Sequence, residues 1–136
     1  IAQTGQGDQV PSLALAAMFE PFSDWFLTDT LILNAREASL EDQPVAGFVG
    51  ITGRTCDWRV ARELVNASRI PVILAGGIGP SNACDGIAQV QPAGVDSCTR
   101  TNALDADGNP IRFKKDPEKV RALVDAARQA GPDRMN

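Results

Sequence analysis

Three short stretches of the chain are apolar or nearly so: Trp25-Phe26-Leu27-Thr28, Pro71-Val72-Ile73-Leu74-Ala75 and Ala93-Gly94-Val95-Asp96-Ser97. Near-continuous apolar runs of this length, without strict alternation, predict strands buried on both faces. After each comes a loop, and after the loop a segment whose apolar positions recur at helical spacing. Strand, loop and helix in repeated succession are βα units, and βα units imply a parallel sheet. The fold class read from the pattern is α/β, with parallel strands and flanking helices.

Four helices are expected. The first runs from Ser12 to Phe22, rich in Ala and Leu, after Gly5-Gln6-Gly7-Asp8. Asp57 is placed to cap the second, where Val60, Ala61, Leu64 and Val65 form an apolar stripe and Arg59, Arg62, Glu63 and Asn66 face outward. That stripe reads as core packing, and Trp58 at its start as a packing anchor. The third helix begins at Gly79-Pro80-Ser81-Asn82, with Pro80 in the first turn, where a missing N–H is harmless, and ends near Val90. The fourth opens on Asp116-Pro117-Glu118 and continues through Val120, Leu123, Val124 and Ala127 to Gly131. Two connections, Thr30 to Cys56 and Arg100 to Lys115, are long for such units, and long loops of this kind are usually functional or mobile. Leu31-Ile32-Leu33 would prolong the first strand into the first of them.

With 136 residues there is room for one domain and not two. It is placed at residues 1–131, with 132–136 a frayed tail. Hydrophobic residues at 43% and charged residues at 22% are those of a folded, soluble chain. The 13 basic and 17 acidic side chains leave a net charge of −4, which disfavours a nucleic-acid partner. Residues 1–57 carry two basic side chains against eight acidic, and residues 58–136 eleven against nine, so an anion site is expected in the second half.

The sequence contains no histidine, which removes imidazole bases, His-containing triads and His-metal sites. Cys56, Cys84 and Cys98 are odd in number and lack Cys-x-x-Cys spacing, so neither a disulfide framework nor a zinc site is implied, and the compartment is read as reducing. No apolar run reaches the about eighteen residues of a spanning helix. A cytoplasmic protein without a membrane partner is the expectation. The chain opens on Ile1-Ala2-Gln3-Thr4, without methionine and as though on the end of a strand, which suggests a start inside something larger.

Chemistry is expected where the strands end. Leu74-Ala75-Gly76-Gly77-Ile78-Gly79 passes from a buried strand through paired glycines into a helix, a geometry that lets backbone N–H groups approach a phosphate; a tight turn that binds nothing is the alternative. Val95-Asp96-Ser97-Cys98-Thr99 places a carboxylate and three polar side chains at the end of the next strand, and phosphate in α/β barrels is often held jointly by two such neighbouring loops. Asp96 as a simple turn residue is equally compatible with its position. Asp29, after Phe26-Leu27-Thr28, stands where general acids and bases sit in this architecture, although an ordinary loop residue would stand there too. Arg100, Arg112, Lys114 and Lys115 read as a solvated surface cluster ahead of an anion site.

Four blocks in order, Phe26-Leu27-Thr28-Asp29-Thr30, Gly50-Ile51-Thr52-Gly53-Arg54-Thr55-Cys56-Asp57-Trp58, Pro71-Val72-Ile73-Leu74-Ala75-Gly76-Gly77 and Gly94-Val95-Asp96-Ser97, resemble the second half of the phosphoribosylanthranilate isomerase family. The resemblance covers nearly the whole chain. It implies the C-terminal half of a (β/α)8 TIM barrel, about its last four βα units, since a whole barrel needs roughly 200 residues or more. It further implies Asp29 as the general acid that opens the ribose ring, Asp96 as the group orienting substrate, and Gly76, Gly77, Ser97 and Cys98 around the phosphate. No cofactor or metal is implied. The family's general base is a cysteine in a Lys-x-Cys-Gly motif at the end of the first strand, and that motif does not occur here. None of the three cysteines occupies its place.

Three departures from the family pattern point to a paralogue. The connection from Asp29 to Trp58 is longer, with Arg36, Glu37 and Asp42 able to add polar contacts; the family's Ser-Ser-Gly-Val-Glu reads Ser97-Cys98-Thr99-Arg100-Thr101-Asn102; and Ala103 to Lys115 is extended. Two functions follow. One is an acid–base isomerase of a phosphorylated ribosyl amine, in tryptophan biosynthesis if the substrate is the family's. The other is a non-catalytic or truncated half barrel that binds phosphate ligands or a partner chain, its open apolar face covered by a missing N-terminal half or by a second copy.

Overall fold

The computed structural model describes residues 2–4, 12–31 and 56–131, and at 2–4, 30 and 31 the backbone alone. Most of the connection between Thr30 and Cys56, with Arg36, Glu37 and Asp42, and the tail at 132–136 lie outside the described residues.

In chain order the elements are β1 (Ala2–Thr4), α1 (Ser12–Phe19), a 3₁₀ turn (Glu20–Phe22), β2 (Phe26–Leu27), β3 (Asp29–Leu31), α2 (Trp58–Ala67), β4 (Val72–Leu74), α3 (Ala83–Val90), β5 (Gly94–Val95), a second 3₁₀ turn (Thr99–Thr101), β6 (Asn102–Leu104), β7 (Pro110–Lys115) and α4 (Pro117–Ala130). Strands β2, β4 and β5 form a parallel sheet with β4 central, Phe26 opposite Val72 and Leu74 opposite Val95. The parallel pair β1 and β3 sets Ala2 opposite Asp29. Strands β6 and β7 form an antiparallel hairpin.

The helices cover one face of the parallel sheet. Phe26 and Val72 pack with Ala16 of α1 and Leu64 of α2. Leu74 packs with Ala61, Ile78, Ala83, Val90 and Ala126, which joins α2, α3 and α4 to the central strand. Trp58 closes this cluster, as an anchor should: a Cβ on Gly86 would lie 3.3 Å from its ring, so the glycine lets α3 approach both the indole and Leu74. The expectation of strands buried on both faces is corrected, because among the described residues no helix covers the second face. Leu27 is 44% exposed, Ile73, Gly94 and Val95 are half-buried, and Trp25 before β2 is exposed.

The helix ends follow local chemistry. Asp57 caps α2 by accepting from the N–H groups of Arg59 at 2.9 Å and Val60 at 3.4 Å, and Asp116 does the same for α4 from Glu118 and Lys119. Helix α1 tightens into a 3₁₀ turn where Pro21 cannot donate to the α-helical ladder. Helix α3 starts at Ala83, later than the Gly79 start expected, because Asn82 engages the preceding residues and holds 79–82 as a turn. At its other end Arg62 reaches over from α2 to the Val90 carbonyl at 3.1 Å and the Gln91 side chain at 2.6 Å.

The connection from Arg100 to Lys115 is not a plain loop. Asp105 accepts from the N–H groups of Asp107 at 3.0 Å and Asn109 at 2.8 Å, Gly108 takes a positive φ of 85°, and the chain reverses into the β6–β7 hairpin.

The cap at Asp57 yields a direct expectation. Its salt bridge to Arg59 is exposed and contributes little, so Asp57→Ala lowers stability mainly through the lost cap, by about 1 kcal/mol. The Arg59 side chain, aided by the two N–H groups, holds the Asp57 carboxyl below its ordinary value. The difference in chemical-denaturation midpoint between wild type and Asp57→Ala is therefore full at neutral pH and shrinks as the pH falls below about 4.

Candidate functional site

The parallel register decides where the strand-end residues meet. Thr28 N–H donates to the Ile73 carbonyl at 3.0 Å and Asp96 N–H to the Leu74 carbonyl at 2.9 Å, so β2, β4 and β5 end at the same level. Asp29, the Gly76-Gly77 turn and Asp96 therefore stand along one edge of the sheet, as the strand pattern predicted.

Beyond that edge the ladder stops, and side chains take over its hydrogen bonds. Thr28, fully buried, accepts from the Ala75 N–H at 2.9 Å and donates to the Ala75 carbonyl at 3.1 Å. Cys56 Sγ also donates to that carbonyl at 3.1 Å, and Cys56 N–H reaches the Gly76 carbonyl at 3.3 Å. Burial pushes the Cys56 thiol above its ordinary 9.0, with the negative charges of Asp29 and Asp57 adding in the same direction. A buried thiol that donates to a carbonyl and resists ionisation is a structural group, not a base.

Gly76 and Gly77 take φ of 84° and 66°, a region that side chains rarely adopt. Asn82 fixes the turn from within: its Oδ1 accepts from Gly79 N–H at 2.8 Å and its Nδ2 donates to the Gly77 carbonyl at 3.0 Å. Ser97 fixes it from the neighbouring strand end, its hydroxyl donating to the Ile78 carbonyl at 2.6 Å. Gly79 passes under Arg100, where a Cβ would stand 2.5 Å from the arginine's own. The two loops expected to share a phosphate are thus in contact, with the Ser97 hydroxyl turned to the glycine turn. With its hydroxyl so engaged, Ser97 has only its backbone N–H to offer an anion.

Asp96 is exposed, Asp29 half-buried and Cys98 half-buried at the same edge. The expected basic cluster divides. Arg112 lies over the Phe113 ring, 5.1 Å from its centre, on the hairpin. Lys115 is exposed like its neighbours, yet its ammonium also donates to the Cys98 carbonyl and to Thr101 Oγ1 at 2.9 Å. Thr28, Asn82 and Thr101 have no site role in the sequence pattern, and Lys115 only a place in the basic cluster. For Asn82 there was a signal, an amide three residues after Gly79 at a helix start.

Residues 34–126 match the family model described as N-(5'phosphoribosyl)anthranilate (PRA) isomerase. The chain belongs to this family. An N-(5'-phosphoribosyl)anthranilate isomerase of Haloferax volcanii is 42% identical over 94 residues, 69% of this chain and 39% of that protein. One from Methanocella arvoryzae is 33% identical over 124 residues, 91% of this chain and 47% of the other. The chain therefore spans about half the length of the curated relatives it matches. In fold it resembles the dimeric phosphoribosylanthranilate isomerase of Thermotoga maritima solved as monomers, with a TM-score of 0.60 at 20% identity over 94% of this chain and 48% of that one. The architecture is accordingly half of a (β/α)8 barrel, and the face of the sheet that carries Leu27, turned away from the described helices, corresponds to a barrel interior. Among the described residues no helix is long and apolar enough to cross a membrane.

The environment of Cys56 sets a pH dependence. Its pKa is higher in the folded than in the unfolded chain, so the folded state binds more protons above the ordinary thiol value. Stability measured by urea unfolding is expected to be insensitive to this group below about pH 8 and to fall as pH rises past 9. Cys56→Ala removes that alkaline loss, and Cys84→Ala leaves it in place.

Proposed function

We propose that this chain supplies the general acid and the phosphate-binding edge of an isomerase that converts a phosphorylated ribosyl amine to the corresponding ketone by an Amadori-type rearrangement, the family's step in tryptophan biosynthesis. The observation that carries this reading is the convergence of Asp29, the positive-φ Gly76-Gly77 turn and the Asp96–Cys98 strand end on one sheet edge. Family membership supports it. In this mechanism the Asp29 carboxylic acid protonates the ring oxygen and the ring opens to an imine. A base then removes the C2 proton to give an enamine, which tautomerises to the ketone. Asp96 orients the substrate, and the N–H groups of Gly76, Gly77, Ser97 and Cys98 hold the phosphate, without metal or cofactor. A phosphoribosyl anthranilate isomerase of similar fold has been solved in complex with reduced 1-(o-carboxyphenylamino)-1-deoxyribulose 5-phosphate, which makes a phosphorylated ligand the natural first probe.

The C2 base belongs to the half of the barrel that this sequence does not contain. Cys56 is unsuited to the task, since its thiol is buried and bonded to Ala75. A second reading, a half barrel that binds phosphate and covers its open face with a second copy, rests on the exposure of Leu27 on the side of the sheet turned away from the described helices. The three free cysteines suit the reducing cytoplasm in either case.

Phosphoribosylanthranilate consumption, followed by loss of its fluorescence, separates the readings. The chain alone turns over nothing, the chain joined to a family N-terminal half bearing the Lys-x-Cys-Gly strand turns over substrate, and Asp29→Asn in the joined protein removes most of kcat, on the order of 10²-fold or more, while KM changes little. Turnover by the chain alone, or by the joined Asp29→Asn protein at wild-type rate, would contradict the assignment. Gly77→Val forces a branched side chain into a positive-φ position and lowers inorganic phosphate affinity, read by calorimetry, by about tenfold or more; unchanged affinity places the anion elsewhere.

A further inference from the structure

The loop after β5 is held by two groups that the proposed mechanism does not use. Lys115, the last residue of β7, extends its ammonium to the Cys98 carbonyl and to Thr101 Oγ1. Thr101, 2% exposed, donates from the same hydroxyl to the Cys98 carbonyl at 3.0 Å or the Ser97 carbonyl at 3.3 Å. Two successive carbonyls of the loop are thereby drawn to one side, toward β7. In a trans peptide unit the N–H points opposite to the carbonyl of the same plane. The planes that contain the Ser97 and Cys98 carbonyls therefore turn the Cys98 and Thr99 N–H groups away from Lys115.

The hairpin makes this arrangement possible. Asn102 pairs with Lys115 across β6 and β7, so the extended segment leaves the loop at Thr101 and returns to it fourteen residues later with a cation. Lys119, one turn into α4, makes a parallel contact to the Asn102 carbonyl at 2.8 Å, outside the loop itself. It carries the same charge at a neighbouring place without gripping the loop's carbonyls.

We propose that Lys115 and Thr101 are positioning residues for phosphate: they orient the Ser97–Thr99 peptide planes so that backbone N–H groups are presented to the anion, and the β6–β7 hairpin serves to bring the ammonium there. The inference rests on the phosphate reading of this edge given above. Lys115 acts through the loop and not by touching the phosphate. The donation of a charged group to the Cys98 carbonyl also polarises that peptide unit and strengthens its N–H as a donor.

The experiment is titration of the full chain with inorganic phosphate by calorimetry, with circular dichroism and thermal unfolding on every variant. Lys115→Met is expected to weaken phosphate about tenfold, the loss of one charge-assisted hydrogen bond's worth of organisation. Thr101→Val, nearly the same shape and without charge change, is expected to weaken it several-fold, roughly threefold to tenfold. Lys119→Met should bind as wild type. Lys115→Arg, which keeps a cationic donor, should recover most of the affinity. A pure charge effect would instead lower affinity equally in Lys115→Met and Lys119→Met and leave Thr101→Val unchanged, and that pattern overturns the proposal. So does wild-type affinity in Lys115→Met while Gly77→Val abolishes binding, which leaves the phosphate site standing and removes only the positioning role. If the wild type itself binds no phosphate that depends on Gly77, the site reading and this inference fall together. Should either variant unfold, chemical shifts of the Cys98 and Thr99 amides in Lys115→Arg with and without phosphate decide the matter: phosphate-induced shifts at those amides support it, and shifts confined to Gly76 and Gly77 overturn it.

Discussion

Where a parallel sheet stops, its outermost N–H and C=O groups lose their ladder partners, and buried groups of this kind must be satisfied by something else. In this protein the substitutes are side chains from the next loops. Thr28 takes both polar groups of Ala75, Cys56 adds to the same carbonyl, Asn82 and Ser97 hold the glycine turn, and Thr101 and Lys115 hold the loop after β5. The candidate site depends on this set of contacts, because they decide which backbone groups are used internally and which remain directed outward. Removing a partner such as the Thr28 hydroxyl leaves a buried donor unmet, at a penalty of about 1–3 kcal/mol.

The core explains why the edge is well defined on one side and open on the other. Phe26, Val72 and Leu74 face the helices and unite two apolar clusters, one with α1 and α2 and the other with α2, α3 and α4. Leu27 faces away from them. A barrel fills such a face with layers of side chains from the other strands, and half a barrel exposes apolar surface that favours association. Stability and function are thus linked through the same strands. A group packed on Leu27 would also stand next to Asp29.

The hairpin of β6 and β7 shows how an extension can change a site without entering it. Its turn is closed by Asp105, whose carboxyl is held below its ordinary value by the backbone N–H of Asn109 and then of Asp107. Phe113 takes a φ of 61°, which is unfavourable for a bulky residue and keeps the end of the hairpin from running as a regular ladder. The chain returns with Lys115 in register with Asn102, beside the loop from Ser97 to Asn102 that departs from the family pattern. Arg100 in turn requires Gly79 beneath it. The departures from the family pattern are coupled through space.

Much was legible along the chain by itself. The apolar runs marked β2, β4 and β5, the periodic positions Ala61 and Leu64 marked the buried side of α2, and Asp57 and Asp116 marked helix starts, because each of these depends on local spacing and local hydrogen bonding. The placement of Asp29, Gly77 and Asp96 on one edge followed from the parallel rule alone. The hairpin is not legible although Asp105-Ala106-Asp107-Gly108 is a turn signal, since β6 is only three residues long and β7 is mostly exposed, and neither carries an apolar alternation to announce it. The start of α3 depended on Asn82 bonding backward, and the role of Lys115 on a strand pairing that returns it to Cys98. Those are contacts between residues distant in sequence or turned against the local trend, which only the tertiary structure could decide; the periodicity of the chain marked the sides of its elements that face one another, but not which strand face stays open nor which carbonyl a given lysine would reach.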